Sequence, residues 1–296
     1  MKLSSAWIKG LIIPWGYLLA SALLSAVISY PLFRLFGDGD ISFFRSLVSR
    51  IGQGFLLLGL IPISRHLALK RAEFGLQKGS FSGLFRGFGL GVLTLSLHGL
   101  LLVSFGVRTP QIPDMGLIHI AAASLSAAGA GLGVALLEET LFRGALIAIL
   151  MRMAGPRAAI VISALDYAAL HFIGTHWTTE PSRIGWDTGF RIALDGFSHL
   201  PFADPGSFLA LFLAGILLGS VRLFFKGGLF FSIGLHAGWV FVIKLFKPLT
   251  LLHPYSPWIF LIGTYDQVIG YLSCTWVFML LTLIFFYQRR LHASRA

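Results

Sequence analysis

Long apolar segments alternate with short polar ones along most of the chain, and most of them have the length of a membrane-spanning helix, about 20 residues. The pattern predicts an all-α fold, a polytopic membrane helix bundle of about eight transmembrane helices that forms a single domain over residues 1–296. The predicted spans lie near residues 9–33, 43–64, 87–107, 129–151, 157–173, 206–223, 228–246 and 266–287.

Two parts of this pattern are less regular than the rest. The second span is the least apolar, because Arg45 and Arg50 lie in its first half. Residues 116–128 precede the fourth span and are also apolar. We expect them either to extend the fourth helix or to form a separate helix at the membrane interface.

Composition agrees with a membrane protein, since 56% of the 296 residues are hydrophobic and only 12% are charged. The net charge of +11 comes from Lys and Arg scattered between apolar spans. This distribution is typical of membrane topology and argues against a nucleic-acid partner. Cys274 is the only cysteine, so the chain cannot form an intramolecular disulfide or a cysteine-based metal cluster.

The distribution of basic residues also predicts an orientation. With an even number of spans and the N-terminus inside, more Lys and Arg residues fall in cytoplasmic segments than in external ones. The positive-inside rule therefore predicts that both termini lie in the cytoplasm.

Three ionisable residues interrupt the fourth span, within a motif-bearing core at about residues 129–246. They are Glu138, Glu139 and Arg143. Glu139 and Arg143 are four residues apart, so they share a helix face and can form an ion pair inside the bilayer. Glu138 is then free to reach groups on other helices, and such intramembrane carboxylates usually mark a functional site.

Two histidines lie in other apolar spans, His171 in the fifth and His236 in the seventh. Counted from the basic residues at the cytoplasmic helix ends, their depth is close to that of Glu138, about 15 to 21 Å of helix. The sequence thus predicts that three groups capable of proton transfer converge, in a cavity that opens toward the cytoplasmic half of the bundle.

These motifs resemble the CAAX protease and bacteriocin-processing family of intramembrane proteases, also called CPBP or Abi, which includes the Rce1-type prenyl-protein peptidases. The family's Glu-Glu-x-x-x-Arg motif corresponds to residues 138–143. Its aromatic-x-x-x-His motif corresponds to Tyr167 and His171, and its third motif begins at His236. The motifs cover roughly a third of the chain and are specific only in combination.

The resemblance implies an intramembrane endopeptidase that hydrolyses peptide bonds of membrane-associated proteins or peptides. Glu138 would activate a water, His171 would hold or polarise that water, and His236 would donate a hydrogen bond to the oxyanion. Glu139, Arg143 and Tyr167 would support this site. We expect no cofactor; if a metal such as zinc is bound, the same Glu138, His171 and His236 would be its ligands.

One departure from the family pattern puts activity in question. Many members carry Asn four residues after the third-motif histidine, whereas this chain has Val240 and contains no Asn at all. The alternatives are therefore a catalytically degenerate membrane scaffold, or an immunity-type binding protein, and a proton-coupled transporter. The expected location is the bacterial inner membrane, and the substrate class beyond membrane association is left open.

Overall fold

The computed structural model describes residues 5–37, 39–76, 81–111, 116–225 and 227–293, and in these ranges the chain is almost entirely helical. The predicted all-α class is confirmed. The α-helices within the described residues are α1 Ser5–Phe36, α2 Ile41–His66, α3 Ser82–Ser104, α4 Leu117–Glu139, α5 Ile147–Leu170, α6 Thr188–Ser198, α7 Pro205–Phe224, α8 Gly228–Phe246 and α9 Tyr271–Ala293.

Short elements connect these helices. A π-helix, Thr140–Leu146, joins α4 directly to α5, and 3₁₀ turns occur at Pro181–Arg183, Leu200–Phe202 and Ile259–Leu261. Two three-residue strands, β1 Arg108–Pro110 and β2 Thr250–Leu252, pair antiparallel, with Thr109 opposite Leu251. This small ribbon ties the end of α3 to the segment between α8 and α9.

Six helical segments of the described chain are long and apolar enough to cross a membrane. One of them, Ile118–Leu170, contains 53 residues and turns at Gly155, whose φ of 81° interrupts the helix just before Pro156. It therefore contains two of the predicted spans, and Tyr271–Phe286 is a further, shorter apolar helix. The prediction of about eight spans agrees with this arrangement, and α4 shows that residues 117–128 extend the fourth span.

Helix α8 lies at the centre of the bundle, where it packs against α3, α4 and α7. Its closest approach is to α3. A Cβ atom added at Gly234 would collide with the carbonyl oxygen of Leu84, and one added at Gly87 would collide with that of Phe231. Glycine is therefore required on both helices, in the manner of small-residue helix contacts in membranes. This contact fixes the depth and rotation of α8, which carries His236.

Candidate active site

The two acidic residues of the first motif lie where α4 ends. Glu138 and Glu139 are its last two residues, and the π-helix Thr140–Leu146 follows, with Arg143 in its middle. A π-helix has a wider turn than an α-helix and often occurs at functional sites. Here it changes the direction in which side chains project just after the two glutamates.

Side chains from other helices stabilise this wide turn. Because a π-helix shifts its hydrogen bonds from i+4 to i+5, some of its carbonyl groups are available to other donors. Arg222 on α7 donates through Nε to the carbonyl oxygen of Arg143 at 3.0 Å, and the hydroxyl of Ser163 donates to that of Phe142 at 3.2 Å. Both bonds are buried, so the π-helix is held by the surrounding bundle.

Glu139 is fully buried, accepts hydrogen bonds from two side chains and forms an ion pair with a third. Arg143 Nη1 lies 3.1 Å from its Oε1, which is the ion pair predicted from the sequence. His236 Nδ1 lies 2.9 Å from the same oxygen, and the hydroxyl of Ser232 donates to Oε2. Glu139 thus connects the π-helix to α8, and these bonds compensate the cost of burying its charge.

Glu138 faces the two histidines. Its Oε2 atom lies 3.7 Å from His171 Nε2 and 3.8 Å from His236 Nε2, and it is buried without a hydrogen-bond partner among the described residues. These separations are too long for direct hydrogen bonds. A single water molecule can bridge polar atoms separated by such distances.

The hydrogen bonds on the other side of each imidazole define which ring nitrogen carries the proton. His171 Nδ1 lies 2.7 Å from the carbonyl oxygen of Tyr167, which can only accept, so Nδ1 is the donor. His236 Nδ1 likewise donates to the carboxylate of Glu139. In the neutral form of each ring, Nε2 therefore has a free lone pair, and this nitrogen is the one that faces Glu138.

Tyr167 connects the histidines to Arg143. The Arg143 guanidinium carbon lies 4.2 Å from the centre of its ring, a cation–π contact. The same ring forms a T-shaped contact with His171, at 4.4 Å between centroids, and one with Phe142, at 5.4 Å. Tyr167 is only 3% exposed. An aromatic residue at this position therefore orients His171 by packing as well as by its backbone carbonyl.

The candidate site opens into a cavity of about 580 Å³ between α3, α4, α5, α7, α8 and α9. This volume lies within the range of ordinary ligand pockets, and most of the lining is apolar. The polar side chains of the candidate site project from its wall, together with Tyr265 from the segment before α9. The cavity is thus suited to a largely apolar ligand that presents a polar group to Glu138.

The direction of this cavity differs from the prediction. From the depth of the three residues we expected an opening toward the helix ends that carry Arg152 and Arg157. The cavity instead extends toward the opposite helix ends, where Lys247, Tyr265 and Asp266 line it. Position along each helix predicts that the three groups lie at a similar depth. Which end of the bundle is closed depends instead on how the connecting segments pack.

Val240 also lines the cavity, one helical turn after His236 on α8. Its side chain offers no hydrogen-bond donor.

A family model described as type II CAAX prenyl endopeptidase Rce1-like matches residues 120–242. Over this segment the chain is similar to the Rce1-like family. The match supports a CAAX-protease-like membrane endopeptidase in general terms. No curated protein and no solved structure matches the chain.

The Rce1-like segment contains all three motifs named from the sequence. Glu138, His171 and His236 come from three different elements, α4, the end of α5 and α8, and the structure brings them together. Glu139 and Arg143 lie beside them as one buried ion pair.

The three side chains are also of types that can bind a metal ion. Two imidazole nitrogens and one carboxylate oxygen are ligands that zinc accepts. Glu138 Oε2 lies 3.7 and 3.8 Å from the two nitrogens. Within the described ranges, no group of three His, Cys, Asp or Glu side chains has the arrangement of a metal site.

Several residues of the site were not found from the sequence. Ser232 lies four residues before His236, so its position on the same helix face was a usable signal. For Arg222 and Tyr265 the sequence contains no such signal. Arg222 resembles an ordinary basic residue at the end of a span, and Tyr265 lies in a connecting segment. Both reach the site only through tertiary packing.

Two further polar groups have partners that connect distant helices. Asp166 accepts a hydrogen bond from Trp15 Nε1 at 2.9 Å, which links α5 to α1. His98 shares a hydrogen bond of 3.0 Å with the hydroxyl of Ser273, which links α3 to α9. These contacts give both residues a structural role in the bundle.

Proposed function

We propose that this protein is an intramembrane endopeptidase in which Glu138 activates a water molecule for attack on a peptide bond. One observation supports this more than any other. The unpartnered Oε2 of Glu138 faces Nε2 of His171 and of His236 at distances that one water can bridge, inside an apolar cavity.

In the proposed reaction, the water donates one hydrogen to Glu138 Oε2 and the other to His171 Nε2. These two bonds orient an oxygen lone pair toward the carbonyl carbon of the substrate. As the new C–O bond forms, Glu138 takes a proton from the water, and the carbonyl π electrons move to the carbonyl oxygen. The C–N bond then breaks while Glu138 returns that proton to the leaving amine.

His236 would stabilise the negative charge on the carbonyl oxygen. Since its Nδ1 already donates to Glu139, donation from Nε2 requires the imidazolium form. The carboxylate of Glu139 would stabilise this cation, as a buried aspartate does for the imidazole of a serine-protease triad. Glu139 would in turn be held by Arg143 and Ser232. This arrangement gives the second glutamate a supporting role rather than a chemical one.

The substrate would be a peptide or protein anchored in the membrane. The cavity is lined mainly by apolar side chains, and the matched family is described by its action on CAAX prenyl substrates. Both observations favour a substrate with a large apolar part near the cleaved bond.

The test uses purified protein in lipid vesicles and a mixture of synthetic peptides with and without a C-terminal isoprenoid. In water enriched in ¹⁸O, hydrolysis must place one ¹⁸O atom in the new C-terminal carboxylate, which mass spectrometry detects. We expect labelled products with the wild type and with Glu180→Gln, whose side chain is exposed outside the cavity. Glu138→Gln should give none.

A scaffold is the second candidate, because Val240 leaves the cavity without the family's amide donor. The same experiment separates the two. A scaffold would give no labelled product from the wild type, and peptide binding would tolerate Glu138→Gln.

A further inference from the structure

The proposed reaction requires hydrogen-bond donors near the carbonyl oxygen of the substrate. The polar atoms that face Glu138 supply few such donors. With both imidazoles neutral, Nε2 of His171 and Nε2 of His236 are acceptors, and Glu138 is an acceptor as well. Val240 contributes none. A neutral donor whose action does not depend on protonation of a histidine would therefore complete the site.

Tyr265 lies where such a donor is needed. It lines the cavity together with Glu138, His171 and His236, and its ring meets His171 at 5.9 Å between centroids, in a T-shaped contact. The ring also contacts Phe172, at 5.5 Å. Tyr265 is 43% exposed, and its hydroxyl has no hydrogen-bond partner within the described part of the chain.

The segment that carries Tyr265 is held firmly. Gly263 N donates to the carbonyl oxygen of Ile269 at 2.8 Å, which closes a loop around the tyrosine. Within the loop, Asp266 Oδ1 accepts hydrogen bonds from the backbone N–H groups of Val268, at 2.9 Å, and Ile269, at 2.7 Å.

Arg108 fastens this loop to the rest of the protein. It is 3% exposed, and its Nη1 donates to the carbonyl oxygen of Gln267 at 2.9 Å, while its Nε donates to the hydroxyl of Thr250 at 2.8 Å. Gln267 has a φ of 63°, a conformation that is unfavourable for a residue with a side chain. A loop that is anchored in this way can hold a catalytic side chain with little reorganisation.

Tyr265 also has the protonation state of a donor. Partial burial, and then the charges of Asp266 and Glu138, raise the pKa of Tyr265 to about 12. The phenol therefore keeps its proton throughout the physiological range.

We propose that the Tyr265 hydroxyl donates a hydrogen bond to the oxyanion that forms when water attacks the scissile carbonyl. This inference rests on the proposed peptidase function and names a catalytic residue for it. Tyr265 transfers no proton in this step: the carbonyl π electrons move to oxygen, and Tyr265 stabilises the resulting charge beside His236. It thereby supplies the donor that Val240 lacks.

The test compares the steady-state kinetics of Tyr265→Phe with those of the wild type. Phenylalanine keeps the ring contacts with His171 and Phe172 and removes only the hydroxyl. Loss of one oxyanion donor should lower kcat by about 100-fold, with KM changed by less than about threefold. Tyr255→Phe is the matched control, because Tyr255 is 90% exposed and lies outside the cavity.

Two further variants test whether the lost hydrogen bond comes from Tyr265 itself. Val240→Asn should restore kcat of Tyr265→Phe by about tenfold or more, because it introduces an amide donor beside the same oxygen. Tyr167→Phe tests the other tyrosine of the cavity. If it, and not Tyr265→Phe, loses kcat, the assignment to Tyr265 is wrong.

The outcomes also separate the two proposals. If wild type cleaves, Glu138→Gln is inactive and Tyr265→Phe retains the wild-type kcat, then only the inference about Tyr265 is overturned. If the wild type shows no cleavage that depends on Glu138, both proposals are overturned.

Discussion

His236 Nδ1 lies 2.9 Å from Oε1 of Glu139, and this hydrogen bond decides which nitrogen of His236 faces Glu138. The bond thereby joins the histidine of the third motif to the second glutamate of the first motif. Because Glu139 is also bonded to Arg143, displacement of any one of these three side chains should disturb the other two.

The first prediction concerns the stability of this buried network. Glu139→Gln leaves the Arg143 guanidinium, which is 0% exposed, without its opposite charge. Breaking a buried pair on one side costs about 3–5 kcal/mol, so we expect a correspondingly lower free energy of unfolding for the purified protein. Denaturant unfolding in detergent is the measurement.

Controls for this prediction exist in the same chain. The exposed pair Glu180 and Arg183 should contribute at most about 1 kcal/mol, so Glu180→Gln should unfold like the wild type. Replacing both partners, as Glu139→Gln with Arg143→Met, should recover part of the loss. Equal stability of Glu139→Gln and the wild type would contradict the network.

The second prediction concerns the contact between α3 and α8. Gly234→Ala places a methyl group against the carbonyl oxygen of Leu84, so the helices must separate and His236 must shift. We expect a loss of about 1–3 kcal/mol in unfolding free energy, together with reduced cleavage. Gly89→Ala on α3 is the matched control, since a Cβ there meets open space. A Gly234→Ala protein as active and stable as the control would refute this role.

The third prediction concerns metal removal. Because the proposed reaction uses a water that Glu138 activates without a metal ion, a chelator such as 1,10-phenanthroline should change the cleavage rate by less than about twofold. The rate is measured before and after dialysis against the chelator. Activity that disappears and then returns with added zinc would show that Glu138, His171 and His236 bind a metal.

The fourth prediction concerns orientation in the membrane. The positive-inside rule predicts that the segment between α2 and α3 is cytoplasmic and that the segment between α8 and α9 is external. In a background with Cys274→Ser, a cysteine at His253 should react with a membrane-impermeant maleimide in intact cells. A cysteine at Arg71 should react only after permeabilisation. The reverse labelling would place both termini outside and the mouth of the cavity in the cytoplasm.

The sequence predicted those parts of the structure that depend on local pattern. Apolar length defined the spans, and the spacing of Glu139 and Arg143 defined their ion pair. The motifs selected Glu138, His171 and His236 as candidates, and the structure brings them together. Each of these predictions depends on residues a few positions apart or on motifs already associated with a family.

The remaining features depend on contacts between residues far apart in the chain. The carbonyl oxygen of Arg143 accepts its hydrogen bond from Arg222, 79 positions away. Tyr265 reaches the cavity from a loop that Arg108 anchors. The direction of the cavity was predicted incorrectly for the same reason, because it depends on how the connecting segments pack and not on depth along single helices.

We propose that Glu138 makes this protein a peptidase, and a comparison of peptide termini tests this claim directly. Membranes from cells that express the wild type, Glu138→Gln or Glu180→Gln at matched levels are analysed by mass spectrometry for new N- and C-termini. We expect the same set of new termini with the wild type and with Glu180→Gln, and its complete absence with Glu138→Gln. Identical termini in all three samples would contradict the claim.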